Sequence, residues 1–262
     1  MFGTIIMDAY TIDEAKDIAN FIEENCSPLD NWGWASAGIY SFWDYHTKEV
    51  LYIGLASDLT VRFKQHNGLL PIDDGACKYQ QIQQYFADHK RLGYSVLVQS
   101  SLSQPIVHRN ENLYRKFLDA PKGMPIPDYA GREGIENIKL AEGQLIESYR
   151  QVVGDIPPWN KIGGNIDSRT FASFNNYQLV VEAFSKGTHE NFLMSRSTLR
   201  ELAKNAKYSW FEIQLHGLRM MMLSRRMTFE EAISMQKQLN PSFEKQWSSI
   251  VDSKYLDKKI II

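Results

Sequence analysis

Three runs decide the fold: Gly38-Ile39-Tyr40-Ser41-Phe42-Trp43, then Val50-Leu51-Tyr52-Ile53-Gly54, then Asp58-Leu59-Thr60-Val61-Arg62-Phe63-Lys64-Gln65-His66. The first two are β-branched and aromatic, and the turn Asp44–Lys48 separates them. They read as antiparallel strands, Ala37–Trp43 and Glu49–Gly54. Ser57 or Asp58 can cap a helix running to His66, with Leu59 and Phe63 as its buried stripe. Arg62 and His66 are four apart and share one face of that helix. Each strand presents a tyrosine, whose ordinary role in a strand is packing.

Outward from this region, Met1–Ile6 reads as a short strand. Thr11-Ile12-Asp13-Glu14 reads as a capping box that opens a helix to Asn25. Asn31–Ala37 reads as a Trp/Gly-rich loop, Lys78–Arg91 as a helix ending at Gly93, and Tyr94–Gln99 as a third strand. Val107–Leu118 is helical, and Pro121–Gly134 is expected to be loop. Ile135–Val153 is a helix stopped by Gly154 and Pro157-Pro158. Beyond Gly163-Gly164 the pattern is helical to the end, with capping boxes at Thr198–Glu201 and Thr228–Glu231. The expected fold is α+β: a small antiparallel three-stranded sheet flanked by helices, then a mostly helical C-terminal region. The divisions are an N-terminal extension (1–35), a core domain (36–165, with an insertion at about 101–133) and a helical domain (166–262). The boundary is expected near Asn165–Thr170.

The 262 residues allow a substantial core, and 44% hydrophobic with 23% charged residues is ordinary for a globular chain. No apolar run approaches the ~20 residues that span a bilayer. The start lacks a basic, cleavable leader. Only Cys26 and Cys77 are present; two cysteines alone do not make a zinc finger, and a disulfide framework is not expected. A cytoplasmic, reducing location without membrane association is expected. The net charge of −2 argues against a large non-specific nucleic-acid binder. Residues 166–262 nevertheless hold fourteen Lys+Arg against ten Asp+Glu, so that half is expected to meet phosphate.

On the Ile135–Val153 helix, Ile138, Leu145, Ile146 and Tyr149 mark the buried face. Glu142 lies on the same face, whereas Glu147 neighbours Gly143, Gln144, Arg150 and Gln151 on the wet one. An ionised carboxylate facing a sheet is costly unless it is paired or binds a metal. Glu142 is therefore the functional candidate, with a structural salt bridge to Arg62 as the competing reading.

The ordered set Gly38-Ile39-Tyr40, Tyr52-Ile53-Gly54, Arg62, His66, Glu142 and Asn160 (in Pro157-Pro158-Trp159-Asn160) resembles the GIY-YIG endonucleases over about residues 36–164. The resemblance implies hydrolysis of DNA phosphodiester bonds with one divalent metal, Mg²⁺ or Mn²⁺, held by Glu142. One carboxylate plus water suits Mg²⁺, and the metal acts as a Lewis acid on the phosphate. Arg62 would hold the developing phosphoryl charge. Tyr40 would activate water, with Tyr52 and His66 beside it. A tyrosine of ordinary pKa about 10 needs help to act as a base at neutral pH. Either Tyr40 is the base, or His66 takes the proton and Tyr40 relays it. Asn160 would orient the site by hydrogen bonds.

The segment from Leu202 to Ile213 has the cadence of a helix-turn-helix, with a recognition helix starting at Ser209 and presenting Trp210, Glu212, Gln214 and His216. A plain helical hairpin accounts for the pattern as well. Arg196, Arg200, Lys204, Lys207, Gln214 and Arg219 are the candidate DNA contacts. The expected activity is a sequence-specific endonuclease of restriction or homing type acting on double-stranded DNA, as a homodimer if the target is palindromic. The alternatives are a flap- or branch-specific nuclease, and a DNA-binding regulator that uses the fold as scaffold.

Overall fold

The computed structural model describes residues 2–26, 37–71, 78–100, 103–107, 110–117, 119, 129–164, 168, 174–188 and 190–262. Nearly all of the Asn31–Ala37 loop, the Asn165–Thr170 boundary except Ser168, Cys77 and much of the 101–133 insertion lie outside them.

The fold is α+β, built on a four-stranded antiparallel sheet of order β1-β4-β2-β3. The strands are β1 (Phe2–Tyr10), β2 (Gly38–Asp44), β3 (Val50–Ala56) and β4 (Leu92–Gln99). This corrects the expected three strands. It also puts residues 2–25, set apart above as an extension, inside the fold. β1 runs to Tyr10 because helices cover both faces of the sheet. Ile5, Met7 and Ala9 face one core while Ile6 and Tyr10 face the other. Burial on both sides removes the polar–apolar alternation that would have marked the strand's true length.

On one face, Tyr40, Phe42, Tyr94, Val96 and Val98 pack under α1 (Ala15–Asn25), α2 (Leu59–His66) and α3 (Tyr79–Asp88). The α1 helix buries Ala15, Ile18, Ala19 and Ile22 at helical spacing. On the other face, Ile39, Trp43, Ile53 and Leu97 meet α5 (Tyr129–Val153). Helix α4 (Glu111–Phe117) lies between β4 and α5 in sequence. The α5 helix begins at Tyr129, so part of the expected Pro121–Gly134 loop is helix. Gly134 sits inside it because the incoming loop packs there: a Cβ would lie 2.6 Å from the Ser103 carbonyl oxygen. The helix ends where predicted, with Gly154 at φ +97°.

Each sheet edge is met at one point by a neighbouring segment, which covers part of its unpaired backbone. At β1, Ile5 N–H donates to Leu193 O and Ser195 N–H to Ile5 O. At β3, Trp159 N–H donates to Leu51 O.

The C-terminal helices are α6 (Phe174–Ala183), α7 (Leu199–Lys204), α8 (Ala206–Arg225), α9 (Phe229–Leu239) and α10 (Phe243–Asp252). The capping boxes at Thr198 and Thr228 both form. The division at 166–262 does not separate these helices from the sheet. The α6 helix joins the α5 core, and α8 lies along β1. His216 Nδ1 accepts the Thr4 N–H at 3.2 Å. A third core, from Phe211, Leu215, Leu218, Phe229 and Phe243, holds the remaining helices together. No helix among the described residues is long and apolar enough to cross a membrane.

Candidate active site

The two glycines of the paired strands have separate steric reasons. A Cβ on Gly38 would lie 2.4 Å from Leu97 O of the adjacent β4. A Cβ on Gly54 would lie within 2.5–2.8 Å of the Tyr52 ring and hydroxyl. Gly54 pairs with Tyr40 across the ladder, so its bare surface is where Tyr52 folds towards Tyr40. The two tyrosine rings lie 5.7 Å apart, centroid to centroid.

Helix α2 is started by Asp58, whose carboxylate accepts the Val61 N–H at 3.0 Å. That start fixes the phase that brings His66 under the sheet. Tyr40 Oη lies 2.6 Å from His66 Nε2. On the other side of the ring, Lys78 N–H donates to His66 Nδ1 at 2.9 Å. A backbone N–H can only donate, so Nδ1 carries the lone pair and Nε2 carries the proton. His66 therefore donates to Tyr40. Burial, reinforced by Arg62 and Lys78, lowers the His66 pKa to about 3, so the ring is neutral. Tyr40 is buried, and desolvation holds its hydroxyl well above the ordinary tyrosine value. A hydrogen bond to Tyr52 pushes in the same direction, and Arg62 opposes both.

Glu142 approaches from the opposite layer. The α5 helix packs on β2 and β3, and its buried Glu142 carboxylate comes near the Leu55 backbone N–H towards the end of β3. Burial raises its pKa to about 7, against the lowering effects of that N–H and of Arg62. Arg62 Nη1 donates to Gln65 Oε1 at 3.2 Å, and the guanidinium acts on Glu142 through space. Arg62 is thus the charge felt both by Glu142 and by Tyr40. Among the described residues no group of three or more His, Cys, Asp or Glu converges. A cation here would rest on one carboxylate and water, a set that fits Mg²⁺.

Asn160 lies beside β3. Its Oδ1 accepts the Ile53 N–H at 3.0 Å and its Nδ2 donates to Ile53 O at 2.8 Å, so one side chain acts as a strand neighbour for Tyr52-Ile53-Gly54. Glu147 departs from expectation: it is buried, not wet, and Arg150 binds both of its oxygens at 2.9 and 2.6 Å. Lys78 carries no motif and was missed. Its one sequence signal is a cation at the start of a helix, where the dipole disfavours positive charge.

The expected DNA contacts fall into two groups. Arg219 and Arg196 are buried and correct the expectation of surface phosphate contacts. Arg219 donates to Glu212, Thr4, Phe192 O and Met194 O, which occupies its fork. Arg200 is consumed by Asp8, Glu14 and Ala9 O, tying α7 to β1. Lys204 and Lys207 are exposed, and Gln214 is half-buried. The helix-turn-helix is also corrected. One residue, Asn205, joins α7 to α8, and its side chain caps α8 by accepting from Lys207 and Tyr208 N–H. Such a motif needs a turn of three to four residues. Ser209 lies inside α8, whose Glu212 and His216 face the core rather than solvent.

No known protein family matches the chain, and no curated protein or solved structure is significantly similar to it.

Proposed function

We propose that the protein is a metal-dependent DNA endonuclease of the GIY-YIG type, sequence-specific in the manner of restriction or homing enzymes. The observation that carries this reading is the meeting of Tyr40, Tyr52, His66 and Arg62 on one sheet face with Glu142 arriving from the other layer. Five residues drawn from 103 positions of sequence supply what phosphodiester hydrolysis needs: a candidate base, a cation and a carboxylate.

In this reading Tyr40 is the base and His66 is not. Nε2 already carries its proton, and moving that proton to Nδ1 would break the Lys78 bond. The Tyr40 proton passes to Tyr52 as Tyr52, which is half-buried, releases its own proton to solvent. The phenolate then accepts a proton from the attacking water while His66 N–H and Arg62 stabilise its charge. Arg62 also faces the phosphoryl oxygens as charge builds on them. Glu142 would hold a divalent cation, which when bound supplies Lewis-acid stabilisation at the scissile phosphate.

Digestion of plasmid and phage DNA with Mg²⁺ tests the proposal. Wild type is expected to give discrete bands, and Glu142→Ala and Arg62→Ala none. Cleavage confined to branched or flapped duplexes would replace sequence with structure as the target. Cleavage that survives Glu142→Ala would sink the assignment.

A further inference from the structure

We propose that Lys78 is a positioning residue of this site: its backbone N–H selects the His66 tautomer, and its ammonium adds a second positive charge beside the tyrosine pair. The inference rests on the endonuclease reading and extends it to a residue outside the motif.

Lys78 stands immediately before α3 and is only 6% exposed. Lysine ordinarily extends its stem along apolar surface and keeps its head in water. Here Nζ lies 4.8 Å from the centroid of the Tyr52 ring, within cation–π range. The same residue supplies the N–H that occupies His66 Nδ1. One residue therefore acts on both neighbours of Tyr40, through its backbone on His66 and through its side chain on Tyr52.

Among the described residues, the titratable and charged groups facing His66 include Arg62 on its own helix, Tyr40 from β2, Tyr52 from β3 and Lys78 before α3. Two cations flank two phenols and a neutral imidazole. A negative charge formed at Tyr40 would meet Arg62, the His66 N–H and, behind Tyr52, the Lys78 ammonium. The backbone contact explains why His66 serves as a donor. The ammonium, set over the Tyr52 ring, offsets part of the burial that opposes charge on the tyrosine pair.

Lys78→Met keeps the stem and the N–H but removes the charge, and Lys78→Arg restores charge. Nitrogen NMR of labelled histidine should show the Nε2–H tautomer in wild type and in Lys78→Met. In Lys78→Met, His66 should take up its proton at higher pH, because one repelling cation is gone. On cleavable DNA, Lys78→Met should lose about 100-fold in kcat. KM should change far less, and the alkaline rise of the rate should move to higher pH. Lys78→Arg should recover most of the loss. An Nδ1–H tautomer in wild type overturns the backbone role. Unchanged His66 titration in Lys78→Met overturns the charge role, as does unchanged kcat. If wild type cleaves no DNA, the endonuclease reading fails, and the histidine spectra still decide whether Lys78 governs His66.

Discussion

Tyr40 Oη sits 2.6 Å from His66 Nε2, and the imidazole is the donor of that bond because Lys78 N–H occupies its other nitrogen. This polarity predicts how the rate responds to pH. If Tyr40 is the base, the active fraction grows tenfold per pH unit below the phenol's pKa, so log kcat should climb through pH 7–9. A histidine base would level off once its ring was neutral, well below that range. His66→Gln keeps an N–H donor and should retain more activity than His66→Ala, for which a loss of about 10²–10³ is expected. Tyr40→Phe should be the most damaging of the three. A plateau from pH 6 upward would exclude Tyr40 as the base.

Glu142 predicts a stability that depends on both pH and metal. The unfolded chain releases this proton near 4.5, whereas the folded chain holds it to about 7. Between those values the native state binds the extra proton. Its contribution is fully present below 4.5 and is lost as pH rises to about 7. Glu142→Gln removes that decline, so the variant should melt higher than metal-free wild type at pH 8 and close to it at pH 4.5. In a chain of this size each kcal/mol moves Tm by about 2–4 °C, and a difference on the order of 5 °C is expected. Mg²⁺ should raise the Tm of wild type and leave Glu142→Gln unmoved. Scanning calorimetry at the two pH values, with and without Mg²⁺, checks both halves. An equal metal response in the two proteins would move the cation elsewhere.

What could be read from sequence follows a physical division. Tyr40, Tyr52, Arg62 and His66 fall within twenty-seven residues, so strand alternation and helix spacing placed them without long-range information. Glu142 was legible because helical periodicity put a carboxylate on an apolar face, and the structure finds its proton held by burial. Asn160 was singled out by the resemblance alone, and its side chain brackets Ile53 of β3. Glu147 was misread because the same periodicity cannot report that Arg150 folds back to pair with it. The fourth strand was only partly legible, since it pairs with β4 more than eighty residues away and is buried on both faces. Lys78 was illegible because its partners lie on α2 and β3 and no spacing rule links it to them.

The arginines of the C-terminal half show why charge alone is a poor guide to phosphate contact, and they give a direct test. Arg219 and Glu212 form an ion pair that is 2% and 0% exposed, and Glu212 also accepts from Tyr255 OH and Arg196 N–H. Removing one partner strands a buried charge, at a cost of about 3–5 kcal/mol. Arg219→Met should therefore lower Tm strongly while leaving the salt dependence of DNA binding by the folded fraction unchanged. Lys204 and Lys207 are exposed and lean on the Phe21 and Phe211 rings. Replacing both with Ala should leave Tm nearly unchanged. If they meet DNA phosphates, the slope of log affinity against log salt should flatten by about 2. Binding isotherms at three or more salt concentrations, set beside the melting curves, separate the two classes. An Arg219→Met protein that melts normally but binds DNA with a flatter salt slope would place that arginine at the surface.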